Sequence, residues 1–480
     1  MLPKALLRGR SVRVILKSDQ RKPRVVIAGA SGFVGRALLG SLGEEFELVG
    51  LSRTRSRADL KSCDLFSLKD AEESIAGADV AIYLVHSMMP SSRLTQASFA
   101  DLDLIAADNF ARACRRAGVK QIIYLGGLHP QSATSSKHLE SRQEVEDTLR
   151  AAGVPLTSLR AGLIIGSGGS SFMILTRLVE RLPLMLLPRW TETRADGASI
   201  EDVVFFIRFC ILNPSCFSKA FDLAFDQSFT YRELIEETAR VLGLKRRLIS
   251  LTVGSPRLSA LWVRMVTGAP LALVTPLVES LRYPLLLKND ELYRLSQRPR
   301  SSLHAALKTA LQMGHQRDRL REMRARHQSV QEKNDVRSIQ RLPLPSTMRA
   351  RDVGLEYLIW LQSFSLFLIR IVATKNQRIE FRFLGFALPL LILELDLERS
   401  SDDRSLLRIR GGMLAIPDGR GRLEFREALG GRFVIAAVHD FLPRLPWIIY
   451  KYTQAVVHLL VMRAFARHLG RLRIAKPEVF

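Results

Sequence analysis

The tightest constraint on this chain is a glycine triplet, Gly29-Ala-Ser-Gly32-Phe-Val-Gly35, placed between a short apolar run and a helix-length stretch. Arg24–Ala28 reads as a strand and Val34–Leu42 as a helix. Glycines at a strand-to-helix turn permit a tight bend. They also let a pyrophosphate approach the helix N-terminus, whose unpaired N–H groups and dipole attract an anion. A bare triplet is weak evidence, but one that follows a strand and opens a helix is a dinucleotide-binding fingerprint. Gly29, Ser31, Gly32, Phe33 and Gly35 are therefore candidate cofactor contacts.

Strand-like and helix-like segments go on alternating. Phe46–Leu51, Val80–Val85, Gln121–Leu125 and Leu156–Ile165 read as strands, and Phe99–Ala117 as a helix. This alternation predicts an α/β fold, a Rossmann-type doubly wound parallel sheet, over residues 23–297. Its last part, 166–297, mixes short helices with Pro-rich turns and reads as a small substrate lobe.

Three other positions bear on the nucleotide. An acid at the end of the second strand would hold a ribose 2′-OH. This chain has Arg53 and Arg55 there, which suit a 2′-phosphate, so NADP is the expected cofactor, with NAD the alternative. Asp64, followed by Leu65, lies after the third strand, where it can bond an adenine amino group or simply cap a turn. Val85 and His86 close the fourth strand at the carboxyl edge of the sheet, where ligands bind.

Residues 298–341 carry eleven bases against four acids and no aromatic residue. They read as a basic helical linker; with no aromatic side chain for base stacking, no specific nucleic-acid partner is expected. Beyond it, 342–480 change rhythm. Phe381–Phe386, Leu390–Glu398, Leu406–Leu414, Arg422–Ala428 and Phe433–Asp440 read as antiparallel strands, and Pro443–Leu469 as one long helix. A separate α+β domain able to fold alone from about Arg337 is expected, enclosing an apolar cavity; Trp360, Phe364, Phe381, Phe383, Trp447, Tyr450 and Tyr452 are candidates to line it, or are solid core.

Composition sets outer bounds. Four cysteines without CxxC spacing fit a reducing, cytoplasmic setting, and no His/Cys/Asp/Glu set has metal spacing. The net charge of +24 points to an acidic partner or to peripheral contact with an anionic membrane. Residues 1–22 are a basic extension, either a ragged N-terminus or an amphipathic leader. No run of eighteen uncharged apolar residues suggests a spanning helix.

Together with Gly29–Gly35, the segments Asp64-Leu65, Tyr83–Ser87, Tyr124–Leu128, Leu159–Gly166, Ser199–Val204 and Thr230–Leu234 resemble the extended short-chain dehydrogenase/reductase family. Tyr83-Leu-Val-His-Ser-Met88, Tyr124-Leu-Gly-Gly-Leu128 and His138-Leu-Glu-Ser-Arg142 are similar to its atypical, NmrA-like NAD(P)H-binding branch, whose members often carry an uncharacterised C-terminal domain. The region 336–470 is similar to that domain and resembles helix-grip, lipid-binding-type folds.

The resemblance implies a Tyr-x-x-x-Lys catalyst after the fifth strand, with a Ser just before it. This chain departs from that pattern. The matching segment is His138-Leu-Glu-Ser-Arg142, the serine's place falls at Gly126 or Gly127, and Tyr124 lies inside the strand with no Lys four residues on. His138 can serve as acid or base, since imidazole titrates near ~6.5. Arg142 can stabilise an oxyanion or hold the ribose; both can equally be surface residues. The polar loop Gly166–Ser171 and Trp190, Arg194 and Ser199 are candidates to shape a small-molecule substrate mouth, or are lobe packing. Three functions stay open: an oxidoreductase or epimerase with an unusual proton donor, a non-catalytic NAD(P)H-sensing regulator or assembly factor, and a hydrophobic-ligand carrier working through the C-terminal domain.

Overall fold

The structure, a computed structural model, describes residues 21–53, 59–86, 94–130, 135–251, 256–313, 335–366, 368–374, 377–417 and 419–474. Residues 1–20, Arg55, Ser87, Met88 and most of the basic stretch after 313 lie outside them. The chain divides into two compact units, one of Met1–His86 and Ala106–Leu320, the other of Ser87–Ile105 and Arg321–Phe480.

The first unit begins β1 (Arg24–Ala28), α1 (Phe33–Ser41), β2 (Glu47–Ser52), β3 (Leu60–Ser62), α2 (Leu68–Ile75) and β4 (Val80–Tyr83). The next strand, β5 (Leu94–Gln96), belongs to the second unit. After α3 (Phe99–Arg116) come β6 (Gln121–Gly127), α4 (Lys137–Ala151), β7 (Leu156–Ala161) and, beyond α5 (Ser170–Arg181) and α6 (Ile200–Cys210), β8 (Ala220–Leu223). The sheet runs β8-β7-β6-β4-β1-β2-β3, and every pairing is parallel. Val25, Val26, Ile27 and Ala28 are all fully buried, as a strand covered on both faces requires. Side-chain caps set helix starts: Ser67 accepts from the Asp70 N–H at α2, and Ser136 from the Leu139 N–H at α4.

Leu156–Ile165 is not one strand. It breaks at Gly162, where a Cβ would lie 2.1 Å from the Asp196 carbonyl oxygen. Residues 163–165 then pair with 197–199 outside the main sheet. The lobe holds α5 with α7 (Tyr231–Val241), α8 (Pro256–Thr267), α9 (Leu271–Ser280), α10 (Glu291–Ser296) and α11 (Leu303–Gln312). Its core joins Phe172, Val179, Phe225 and Leu234 to Ala306, Leu307 and Ala310. The expected linker 298–341 is thus corrected at its start: α11 is a packed helix of the first unit.

The linker is corrected at its end as well. The boundary at 341/342 falls inside β9 (Val336–Pro343). Arginines at 337 and 341 made this strand read as solvated chain. In the fold Arg337 is buried 3.7 Å from Asp440, and Arg341 donates to Asp101 at 3.0 Å. β9 joins β10 (Ile369–Ala373), β11 (Arg378–Phe383), β12 (Leu391–Leu395), β13 (Arg404–Gly411), β14 (Arg422–Ala428) and β15 (Phe433–Phe441) in an antiparallel sheet ordered β10-β11-β12-β13-β14-β15-β9-β5. β5 adds parallel to β9 as the edge strand. A fragment starting near Arg337 would lose β5 and the Asp101 carboxylate, so the C-terminal unit is not self-contained from that point.

Packed on this sheet are α12 (Ala350–Phe364), α13 (Trp447–Tyr452) and α14 (Gln454–Ile474). The single long helix expected is interrupted at Thr453, whose backbone leaves the helical region. Tyr357 packs on Phe425 and Phe465 at 5.4 and 5.2 Å between ring centres, and Trp360 on Phe465 at 5.1 Å. Phe364 and Tyr452, expected inside, are exposed.

Candidate functional site

The first unit's strand order reverses between β1 and β4, because the chain lays β2 and β3 on one side of β1 and then crosses to β4 on the other. The crevice at such a reversal, outside the strands' carboxyl ends, is where open parallel sheets bind ligands. Gly29 sits there with φ +85°, a conformation that favours glycine, and a Cβ on it would lie 3.1 Å from the Leu84 carbonyl group.

The turn is short. The Gly32 N–H donates to Gly29 O at 2.9 Å, and the Ala30 N–H to Leu51 O at 3.2 Å. Gly32 is the N-cap of α1; it supplies no side-chain cap, and the first turn carries no acid. The first N–H groups of a helix have no intrahelical acceptor, so this end presents donors and a positive dipole. At Gly35 a Cβ would stand 2.5 Å from both Ala30 Cα and Gly29 O, so α1 lies directly on the turn. This open cradle fits the pyrophosphate of a dinucleotide.

Around it, Ser52 Oγ bonds Ser31 Oγ at 3.1 Å, tying the end of β2 to the turn. Arg53 follows at once and is exposed. Asp64 Oδ1 accepts from the Phe66 N–H at 3.0 Å, so it does cap the turn after β3, and buried Asn109 donates to Leu65 O at 2.8 Å. The Phe33 ring covers the polar loop after residue 165: a Cβ on Gly166 would lie 2.7 Å from its tip.

Val85 and His86 extend β4 past Leu84. The His86 ring lies 4.9 Å, centre to centre, from that of His138 in the first turn of α4. One turn on, Arg142 is buried, with its stem over Gly127. Tyr124 is fully buried and donates to the Arg142 carbonyl at 3.1 Å; a Cβ on Gly126 would strike its ring. Gly126 thus makes room for this tyrosine, whereas a Cβ on Gly127 would meet the Arg142 stem at an ordinary 3.7 Å.

A polar cluster behind α4 escaped the sequence reading. Glu146 is 1 % exposed and accepts from Arg160 Nε and Nη2 at 2.9 and 2.7 Å and from Arg150 at 2.5 Å. Burial opposes its ionisation, but Arg160 and Arg150 outweigh that and hold its carboxyl below the ordinary range. His129, 3.6 Å away, is shifted down by burial and by Arg160. Only the Glu146–Arg150 pair has local, i,i+4 helical spacing; Arg160 and His129 lie 14 and 17 positions from Glu146 and come to it through the fold.

The other sequence candidates have structural partners. Ser199 caps α6, Trp190 packs against Tyr231 at 6.4 Å, and Arg194 is exposed and bonds Ser228 O. Among the described residues no cluster of His, Cys, Asp and Glu could hold a metal ion. The free cysteines are buried, and burial pushes the Cys63 thiol up to about 11.

Residues 25–215 match the NAD dependent epimerase/dehydratase family. That stretch holds the glycine turn and the crevice beside it. The chain is 33% identical over 120 residues to the auxiliary protein GraX of Staphylococcus aureus, covering 24% of this chain and 39% of that protein. It is 26% identical over 238 residues to a ceramide reductase of Caulobacter vibrioides, covering 47% of this chain and 73% of that one. The chain therefore spans about two fifths of the length of the first of these relatives. An NADPH-dependent quinone oxidoreductase of Escherichia coli is similar over 59% of this chain and 98% of its own, with 18% identity and a TM-score of 0.48. The matched residues include the glycine turn and six of the seven strands of the parallel sheet, and of the second unit they take in only Ser87–Ile105.

Proposed function

We propose that this protein is an NAD(P)H-dependent oxidoreductase acting on a carbonyl compound, with His138 as its proton donor. The observation that carries the reading is the His86–His138 imidazole pair, which joins the first turn of α4 to the segment just past β4, where Leu84 abuts the glycine turn. A bound nicotinamide dinucleotide supplies the hydride. An imidazole can donate a proton to the carbonyl oxygen near neutral pH, and the His86 ring packs beside this donor. Arg142 stabilises negative charge on that oxygen, or holds the ribose, without itself accepting a proton. The α1 N-terminus and the glycine turn bind the pyrophosphate, and Arg53 favours the 2′-phosphate of NADP.

Tyr124 is fully buried and bonded to a backbone carbonyl, so it is unsuited to the family's tyrosine role. The relative named ceramide reductase supports reduction and makes lipid-borne carbonyls the first substrates to assay. Missing the family's Tyr/Lys pair also supports a second reading, a cofactor-binding regulator without chemistry.

Turnover of NADPH against a panel of short- and long-chain carbonyl compounds separates the two. With an active substrate, His138→Phe should lower kcat by ~10²–10⁴-fold with cofactor affinity kept. Tight NADPH binding with no turnover of any carbonyl favours the regulator. An unaltered pH–rate profile in the variant removes His138 from the mechanism.

A further inference from the structure

The second unit carries a surface that is apolar and basic at once. No Asp or Glu occurs between Asp440 and Glu478, whereas Arg444, Lys451, Arg463, Arg467, Arg471 and Arg473 do. Among the described residues none of these six has a carboxylate partner. The inner side of α13 and α14 is committed to the core, with Tyr450, Ala455, Met462, Phe465 and Leu469 buried. The outer side begins with exposed Ile448 (72 %), Tyr452 (68 %), Val457 and Leu460, and continues toward the C-terminus as arginines.

A second exposed apolar group stands beside it. The β11–β12 turn presents Leu384, Phe386 and Leu388, the last 66 % exposed. Backbone bonds bring this turn to the start of α13. Leu414 N donates to Leu390 O at 3.0 Å, Arg444 N to Leu414 O at 3.2 Å, and Ile416 N to Leu442 O at 2.9 Å. The hairpin tip, exposed Ile416 and the first turn of α13 therefore lie at one end of the sheet.

We propose that this end of the second unit docks on the surface of an anionic lipid bilayer. Apolar side chains at hairpin tips and on a surface helix enter the headgroup–acyl boundary, and bases at their flank meet lipid phosphates. No described helix is long and apolar enough to cross a membrane, so the contact lies on the bilayer. A second copy of the chain is a poor occupant, because a shared face would set arginine against arginine with no acid on these helices to offset it. The proposal stands independently of the nucleotide-site chemistry.

Flotation of the full chain with vesicles tests it. The protein should float with vesicles of phosphatidylcholine mixed equally with phosphatidylglycerol and stay behind with phosphatidylcholine alone. Binding should fall at ~1 M salt, where the Debye length is about 3 Å. Lys451→Gln with Arg463→Gln should weaken binding on the order of five-fold per base. Ile448→Ser with Tyr452→Ser should abolish stable binding, with the circular dichroism spectrum and cofactor affinity unchanged. Three results overturn the proposal: no flotation on either vesicle, equal flotation of the wild type and both double variants, or concentration-dependent dimerisation abolished by Ile448→Ser with Tyr452→Ser.

Discussion

Replacing Gly35 with alanine tests the geometry at the glycine turn, and Gly40→Ala in the same helix is its control. Each change removes backbone freedom from the unfolded chain and raises helix propensity, a gain of about 0.5–1 kcal/mol. At Gly40 a Cβ meets nothing within 4 Å, so the gain should appear in full. At Gly35 it meets Ala30 Cα and Gly29 O at 2.5 Å and Ala30 C at 2.8 Å, all backbone. Ordinary contact begins near ~3.5 Å, so α1 must move by roughly 1 Å or the turn must distort. Overpacking of this kind costs ~1–3 kcal/mol against that propensity gain, leaving a net loss of up to about 2.5 kcal/mol. The same displacement separates the α1 N-terminus from the pyrophosphate position. Denaturant unfolding and NADPH fluorescence titration on both variants provide the check. Gly40→Ala should be more stable than wild type and bind normally; Gly35→Ala should be less stable and lose most of its affinity. If Gly35→Ala matched Gly40→Ala in both assays, α1 would not rest on the turn as described.

Arg53→Ala should weaken NADP more than NAD, by ~1–3 kcal/mol, because only NADP carries the 2′-phosphate; equal weakening in calorimetric titrations removes Arg53 from that role. Glu146→Gln should cost ~3–5 kcal/mol, since Arg160 is left partly buried without its counter-charge; a midpoint unchanged in urea would count against a structural role for the cluster. The second unit should be acid-labile. Burial lowers His458 from 6.5 to about 4, and burial together with Arg422 and Arg337 lowers His439. Both bind protons more weakly folded than unfolded, so their contribution is complete above ~6.5 and declines as pH falls, that of His458 being lost toward about 4. Because His458 is partly exposed, the expected loss is ~1–3 kcal/mol, measurable by thermal melts from neutral to acid pH. A flat profile across that window would mean that both imidazoles protonate without penalty.

Local rules made much of the first unit legible. The glycine turn follows from φ preferences and helix-end electrostatics, and β1, β6 and α3 from periodicity, all within a few residues of chain. The second unit's strands from β11 to β15 were legible for the same reason. β9 was not: its arginines signal solvent unless Asp440 and Asp101 are known to face them, and Asp101 lies 240 residues away. β5 is three residues long and has meaning only beside β9.

In the candidate site the amino-acid sequence by itself determined the glycine turn at the start of α1 and showed no Lys four residues after Tyr124. Tertiary structure alone decided that His86 and His138 are neighbours, that Tyr124 serves the backbone of Arg142, and that Glu146 anchors two arginines. The physical reason is range. Dihedral preference and side-chain periodicity act between residues close in the chain. A ring-to-ring contact across 52 positions exists only once parallel strands and the helices on them have brought their carboxyl ends together.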